Sequence, residues 1–405
     1  MRQIPKGPLS LILLGAALVV FLATSTVSVA EGESLTEPLV DGNTAFALKL
    51  YGELGSAEGN LFFSPFSISS ALAMTYAGAR HNTAKEMKKV LHFQLYQTQL
   101  DSAFKRLNHE LEANAHKDGQ KLNIANGLCL TGGDVSKGFK TLLKDNYDAE
   151  LFSGGLDKIN GWVKEKTDGK IEKILEDLDP NSVCVLLNAI CFKGTWESQF
   201  NKSSTLDAPF KVSAGKQVTA RLMYQKSDFQ ILEKQDFQAA LIPYRGKDLS
   251  MIIFLPREVD GLAKLEKQLT SQNLRQWLEE LEKAPIQKIE LFIPKYKLET
   301  GYDLVPPCKA MGMLDAFDSS GKADFSGMGW PKGKLWISQI KHKAFVEVYE
   351  EGTEAAAATA VGIQTTAVRR SYPIFRADHP FLFLIRDNQT GSFLFMGRMI
   401  DPNRK

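Results

Sequence analysis

Apolar residues recur at helical spacing through the first half of the chain and at strand spacing through the second. Helices are expected over residues 44–54, over the alanine-rich run 67–79, over 83–91, which opens on the cap-like Thr83, and over 99–116, where Phe104, Leu107 and Leu111 share a face. Another is expected over 158–176, with Ile159, Trp162, Val163 and Lys166 on one side. The run 183–192 is almost continuously apolar, the pattern of a strand buried on both faces. Strands at 237–244 and 251–255 flank the turn-like Arg245-Gly246-Lys247-Asp248, and 272–281 interrupts the strands as a helix. Residues 289–298 alternate, 334–348 read as one long strand, and 381–386 and 393–399 enclose a hairpin signal at 387–391. Helices followed by several sheets make an α+β chain.

Composition adds little to this picture except at the N-terminus. The 405 residues are 44% hydrophobic and 24% charged, with a formal net charge of +2. That balance argues against an electrostatically driven nucleic-acid binder. No linker-like stretch divides the chain, so a single domain is expected over 31–405. Before it, Arg2 and Lys6 precede an apolar stretch from Leu9 to Leu22 and a small-residue end at Ser28-Val29-Ala30. This is the pattern of a secretory signal over 1–30, cleaved after Ala30. An uncleaved anchor is the competing reading, but the apolar core falls short of the ~20 residues a span needs. A secreted, extracellular protein with no membrane attachment after cleavage is therefore expected.

Secretion permits disulfides among Cys129, Cys184, Cys191 and Cys308. They lack CxxC spacing, and an odd separation on one strand puts Cys184 and Cys191 on opposite faces. Buried free thiols are the expectation. Asn201-Lys202-Ser203 and Asn388-Gln389-Thr390 are N-glycosylation sequons, making Asn201 and Asn388 candidate acceptors. No hydrolase elbow, zinc-protease motif, phosphate loop or dinucleotide fingerprint occurs in the sequence. His109 and His116 would share a helix face, but they read as solvated side chains. No cofactor, metal or catalytic residue is nominated.

One stretch breaks the local rules. Glu350-Glu351-Gly352-Thr353-Glu354-Ala355-Ala356-Ala357-Ala358-Thr359-Ala360 follows a strong strand, yet propensity makes it helical, with Thr353 as a cap. Read as a strand, Thr353, Ala355, Ala357 and Thr359 point one way, and Glu354, Ala356 and Ala358 the other. The first set is small and uncharged, so it can slide over a packed core without burying a charge. A segment acceptable both as exposed loop and as central strand can switch between them.

The stretch resembles the reactive-loop hinge of the serpin family, the serine protease inhibitors. Other motifs agree from about Asn43 to Pro402. Residues 60–69 (NLFFSPFSIS) resemble the family's first helix entry, and 188–196 (NAICFKGTW) its central-strand signature, with Cys191 where an aromatic is usual. Asn160, Gly161, Trp162, Val163, Thr167, Gly169, Lys170 and Ile171 match the helix crossing its large sheet, and 375–385 (FRADHPFLFLI) its C-terminal signature. The form of that signature is similar to the ovalbumin-like and neuroserpin branches.

The resemblance implies three β-sheets, about eight or nine helices and an exposed reactive loop at about 350–374. It implies a suicide mechanism. A serine protease attacks the loop, an acyl-enzyme forms, and the cut loop inserts into the large sheet before the ester is hydrolysed. Ser64, Ser67, Asn188 and His342 are similar to the family's polar cluster under the parting strands. Lys295 with Glu350 resembles its upper salt bridge, and Trp196 its upper tryptophan. The scissile bond lies about fourteen residues past the hinge glycine, at Thr366-Ala367, which suits an elastase-like pocket. Val368 is a neighbouring alternative, and Arg369 and Arg370 would instead suit a trypsin-like enzyme. Non-inhibitory relatives often spoil the hinge with bulky, charged or proline residues, which are absent here from the set Thr353, Ala355, Ala357 and Thr359. A carrier or chaperone is the alternative function. Lys85, Lys88, Lys89, Lys117, Lys121 and Lys137 read as solvated surface, so a heparin-like polysaccharide is not an expected partner. The target protease is, bound covalently to a monomer.

Overall fold

The structure is a computed structural model that describes residues 1, 35–117, 119–353 and 372–404. The helical half comprises α1 (Thr36–Leu54), β1 (Leu61–Phe63), α2 (Pro65–Gly78), α3 (His81–Val90), α4 (Gln97–Ala115), β2 (Lys121–Leu130), α5 (Lys137–Tyr147), β3 (Glu150–Phe152) and α6 (Leu156–Lys166). Sheet dominates the rest: β4 (Cys184–Thr195), β5 (Leu206–Ser213), β6 (Lys216–Glu233), β7 (Phe237–Pro243), β8 (Leu249–Pro256), α7 (Leu262–Lys267), α8 (Ser271–Lys283), β9 (Ile286–Pro294), β10 (Tyr296–Asp303), α9 (Val305–Ala310), β11 (Ile337–Tyr349), β12 (Gly352–Thr353), β13 (Ile374–Arg376), β14 (Phe381–Asp387) and β15 (Phe393–Met399).

Two hydrogen-bonded networks result. The larger runs β1-β15-β14-β8-β7-β6-β9-β13, with β5 on β6. The long β6 pairs successively with β5, β9 and β7, so two of the three expected sheets are joined through one strand. The other network runs β10-β11-β12-β4-β2-β3. Within it β11 also pairs directly with β4, in parallel, from Ile337 opposite Cys184 to Phe345 opposite Cys191.

That second sheet is covered on both faces, which explains the near-continuous apolar run in β4. Leu186, Ile190 and Phe192 enter the main core. Val185, Leu187, Ala189 and Cys191 face α6 and form a separate cluster with Ile159, Val163, Ile171, Ile174, Leu175 and Phe345. Trp162 of α6 lies over Gly127 of β2, where an added Cβ would fall 2.7 Å from the indole.

Two expectations need correction. The helix expected to reach residue 176 stops at Lys166, because Asp168 (φ 50°) and Gly169 (φ 74°) turn left-handed. Asn160 Oδ1 then accepts from the amides of Ile174 and Leu175, so these residues keep helical spacing but pack beside the helix. The single strand expected over 289–298 is two, because β9 ends at Pro294 and β10 begins at Tyr296 in the other sheet. Strand β2 and helix α5 were not anticipated. Ser136 caps α5 by accepting from the Phe139 amide, and Phe139, Leu143 and Tyr147 are its buried face. Of the two readings of the stretch from Glu350, Thr353 takes the strand one, as part of β12.

All four cysteines are buried and unbridged. Cys184 belongs to the main core and Cys191 to the α6 side, the opposite faces their spacing requires. Burial pushes the Cys184 and Cys308 thiols up to about 12. The native protein should therefore react with no equivalent of a thiol reagent, and the unfolded protein with all four cysteines. Added reductant should leave the unfolding midpoint unchanged; a missing pair of thiols after unfolding would contradict this.

Candidate functional site: the opening of the sheet and the loop hinge

The parallel contact between β11 and β4 is pinned halfway along by a polar cluster. Pro65 at the first turn of α2 and Ser64 at its cap fix the helix start, where Ser64 Oγ accepts from the Ser67 amide at 3.2 Å. The Ser64 amide donates to His342 Nε2 at 3.2 Å. That bond makes Nε2 the acceptor, so the ring proton sits on Nδ1 and is donated to Asn188 Oδ1 at 2.6 Å. Asn188 Nδ2 donates to Asn126 Oδ1 at 2.7 Å and to the carbonyl and hydroxyl of Ser67. Ser64, Ser67, Asn188 and His342 have no exposed surface. His342 lies opposite Asn188 in β4, which lies opposite Asn126 in β2, so one network ties three neighbouring strands to a helix end. Asn126 was not singled out from the sequence, because nothing marked 121–130 as a strand.

At the upper end the chain turns from β11 into β12. Lys295 Nζ contacts Glu350 Oε2 at 2.7 Å, and Thr205 Oγ1 donates to Glu350 Oε1 at 2.7 Å. Burial raises the Glu350 carboxyl, but the hydrogen bonds from Lys295 and Thr205 more than reverse this, so its pKa lies below the ordinary value. Trp196 is fully buried, stacks on Tyr244 at 4.6 Å, and donates its indole N–H to Tyr349 O at 2.9 Å. Its backbone amide donates to Glu351 O at 3.0 Å, and the Phe200 amide to Glu350 O at 2.8 Å.

Gly352 and Thr353 already form a strand between β11 and β4. Gly352 pairs with Tyr349 and Thr195, and Thr353 with Val348 and Gly194. Gly352 has φ 152°, and a Cβ there would fall 1.9 Å from Gly194 O, so only glycine fits. Thr353 is fully buried, with its hydroxyl 2.9 Å from that of Tyr244. The remaining hinge residues Glu354, Ala355, Ala356, Ala357 and Ala358, and the bond candidates Thr366, Ala367, Val368, Arg369 and Arg370, lie outside the described residues.

The two sequons differ. Asn201 is exposed in a 3-10 turn, its carbonyl accepting from the Ser203 amide and hydroxyl. The Asn388 amide nitrogen donates to Lys247 O and Ser250 Oγ, both at 2.8 Å. A sugar on Asn388 would cost those bonds. Among the described residues no group of His, Cys, Asp or Glu is placed to hold a metal, and no helix is long and apolar enough to cross a membrane.

A profile of the serpin (serine protease inhibitor) family matches residues 41–402. The chain belongs to the serpin family. It is 40% identical over 388 residues to human leukocyte elastase inhibitor, covering 90% of this chain and 100% of that one. Human Serpin B3 is 39% identical over 394 residues, covering 90% and 99%. Among solved structures, human thyroxine-binding globulin with bound thyroxine superposes with a TM-score of 0.83 at 29% identity, covering 91% of this serpin and 100% of that chain. The fold is that of the family.

Burial pushes the His342 imidazole down to about 3 in the folded serpin, against ~6.5 in an unfolded chain. Between those values only the unfolded state takes the proton. His342 therefore weakens folding progressively as pH falls from ~6.5 towards ~3, and has no such effect above the upper value. His342→Gln should remove one proton's worth of that slope in urea unfolding followed from neutral to mildly acid pH. An unchanged slope would contradict a buried neutral imidazole.

Proposed function

We propose that this serpin is a secreted suicide inhibitor of serine proteases, made with a signal over 1–30 and acting as a single domain over 31–405. The observation that carries the reading is Gly352-Thr353 lodged between β11 and β4, at the head of a hinge of small residues. The protease serine attacks the carbonyl of the bait residue, the downstream amine departs, and an ester remains. The freed strand can then extend β12. Continuing the register of β12 sets Glu354 opposite Lys193 and Glu347, and Thr359 opposite Asn188 and His342. The His342–Asn188 bond must open for Thr359 to pass, and the threonine hydroxyl can take up the partners released. Each backbone bond gained contributes about 1 kcal/mol net, so a strand of many residues supplies a large driving force.

Thr366-Ala367 is the favoured scissile bond, with an elastase-like target. The similarity to a leukocyte elastase inhibitor agrees with that bait. Cleavage at Arg369 or Arg370 by a trypsin-like enzyme is the competing assignment. Asn201 is the proposed glycan site. A second reading, a non-inhibitory carrier, is favoured by one likeness, to thyroxine-binding globulin holding thyroxine.

Mixing the mature chain with elastase-, chymotrypsin- and trypsin-like proteases should give a complex stable to denaturing gels, and the mass of the released C-terminal peptide identifies the bond. Thr353→Arg places a cation at a fully buried position and should convert the inhibitor into a substrate, cleaved at the same bond with complex lost. Cleavage of the unaltered chain by every protease without complex would favour the carrier.

A further inference from the structure

The turn between β11 and β12 is a poor hairpin by its own sequence. Tyr349 pairs with Gly352, so Glu350 and Glu351 are the whole connection. Two-residue hairpins favour Asn-Gly or Asp-Gly, with positive φ at the central residues. Here two adjacent carboxylates stand there, neither with positive φ, and both residues are buried. Such a turn must be held from outside.

Glu350 is held by Lys295 and Thr205, as described above. Glu351 has a different partner: Lys202 Nζ lies 2.6 Å from its Oε1. The contact is a close ion pair rather than a well-aimed hydrogen bond, since that oxygen has no donor in good hydrogen-bonding geometry. The pair is lopsided, with the lysine side chain 62% exposed and the glutamate 5%. Without the lysine, Glu351 would be a buried carboxylate with no counter-ion among the described residues. Its cheapest relief is to swing towards water, which loosens the turn and lets Thr353 leave the sheet more often.

We infer that Lys202 is a positioning residue for loop insertion: by pairing with Glu351 it holds the hinge turned back into the sheet, with Gly352 and Thr353 already seated. The same segment supplies the backbone donors of Trp196 and Phe200 to this turn, so the residues following β4 form a shoulder against which the hinge is folded. The pair engages the second residue of the turn, whereas Lys295 engages the first. Its role in inhibition rests on the inhibitory reading above, but its hold on the hinge does not.

Two measurements separate these. Hydrogen exchange of the Gly352 and Thr353 amides needs no protease. Lys202→Ala should speed it by about threefold, the order expected for an ion pair with one exposed partner. Lys202→Arg should match the unaltered chain, and the charge swap Lys202→Glu with Glu351→Lys should restore protection lost in either single variant. With an elastase-like protease, the share of inhibitor lost as cleaved substrate should rise in Lys202→Ala by a similar factor. High salt should erase the difference between Lys202→Ala and the unaltered chain. A merely structural role would lower the unfolding midpoint without moving either readout. Unchanged exchange in Lys202→Ala overturns the inference. If the unaltered chain forms no protease complex, the inhibitory reading fails while the exchange result still decides the role of Lys202.

Discussion

The direct parallel pairing of β11 with β4 is the constraint on which the rest depends. The strands are adjacent only because nothing yet separates them, and each pairs antiparallel with β12 at the upper end. Parallel pairing is slightly the weaker per residue. Replacing one parallel contact by two antiparallel ones therefore lowers the free energy, provided the new strand brings no charge into the core. The hinge composition meets that condition, and the polar cluster around His342 keeps the strands together until it is met. This serpin can thus be well folded and still not be in its lowest state.

The cluster is suited to that task by being fully satisfied yet switchable. A neutral imidazole in a dry site accepts from Ser64 and donates to Asn188, so every proton has a place. The bond between His342 and Asn188 crosses the very gap that must open. At the top of the gap, two adjacent glutamates are held by lysines from separate parts of the chain, one after β9 and one after β4. The lower part of the sheet resists parting while the upper part is already started.

How far the sequence showed this depends on how local each signal is. Strand β4 was legible because both its faces are buried, and the hinge because its residues suit two structures at once. Strand β2 escaped notice because Asn123, Asn126 and Gly127 interrupt its pattern. Asn126 is polar to serve the cluster, and Gly127 is bare to admit Trp162. The over-long helix after Leu156 came from Ile171, Ile174 and Leu175, which keep helical spacing while packing as an irregular, bending segment. Asp168 and Gly169 were the stop signals. Lys295 and Glu350 are far apart in the chain and had no local signature, so only the family resemblance joined them. The pairing of Lys202 with Glu351 had neither a signature nor a resemblance to announce it.

Direct pairing of β11 with β4 implies that the native sheet is held short of its most stable arrangement. Thermal unfolding of the intact chain, set beside the same chain nicked once within 354–371, tests it most directly. A markedly higher midpoint is expected for the nicked form, because the freed strand enters between β11 and β4 and pairs with both. An equal or lower midpoint would mean that no strand enters between β11 and β4 and that the native sheet is already in its most stable arrangement.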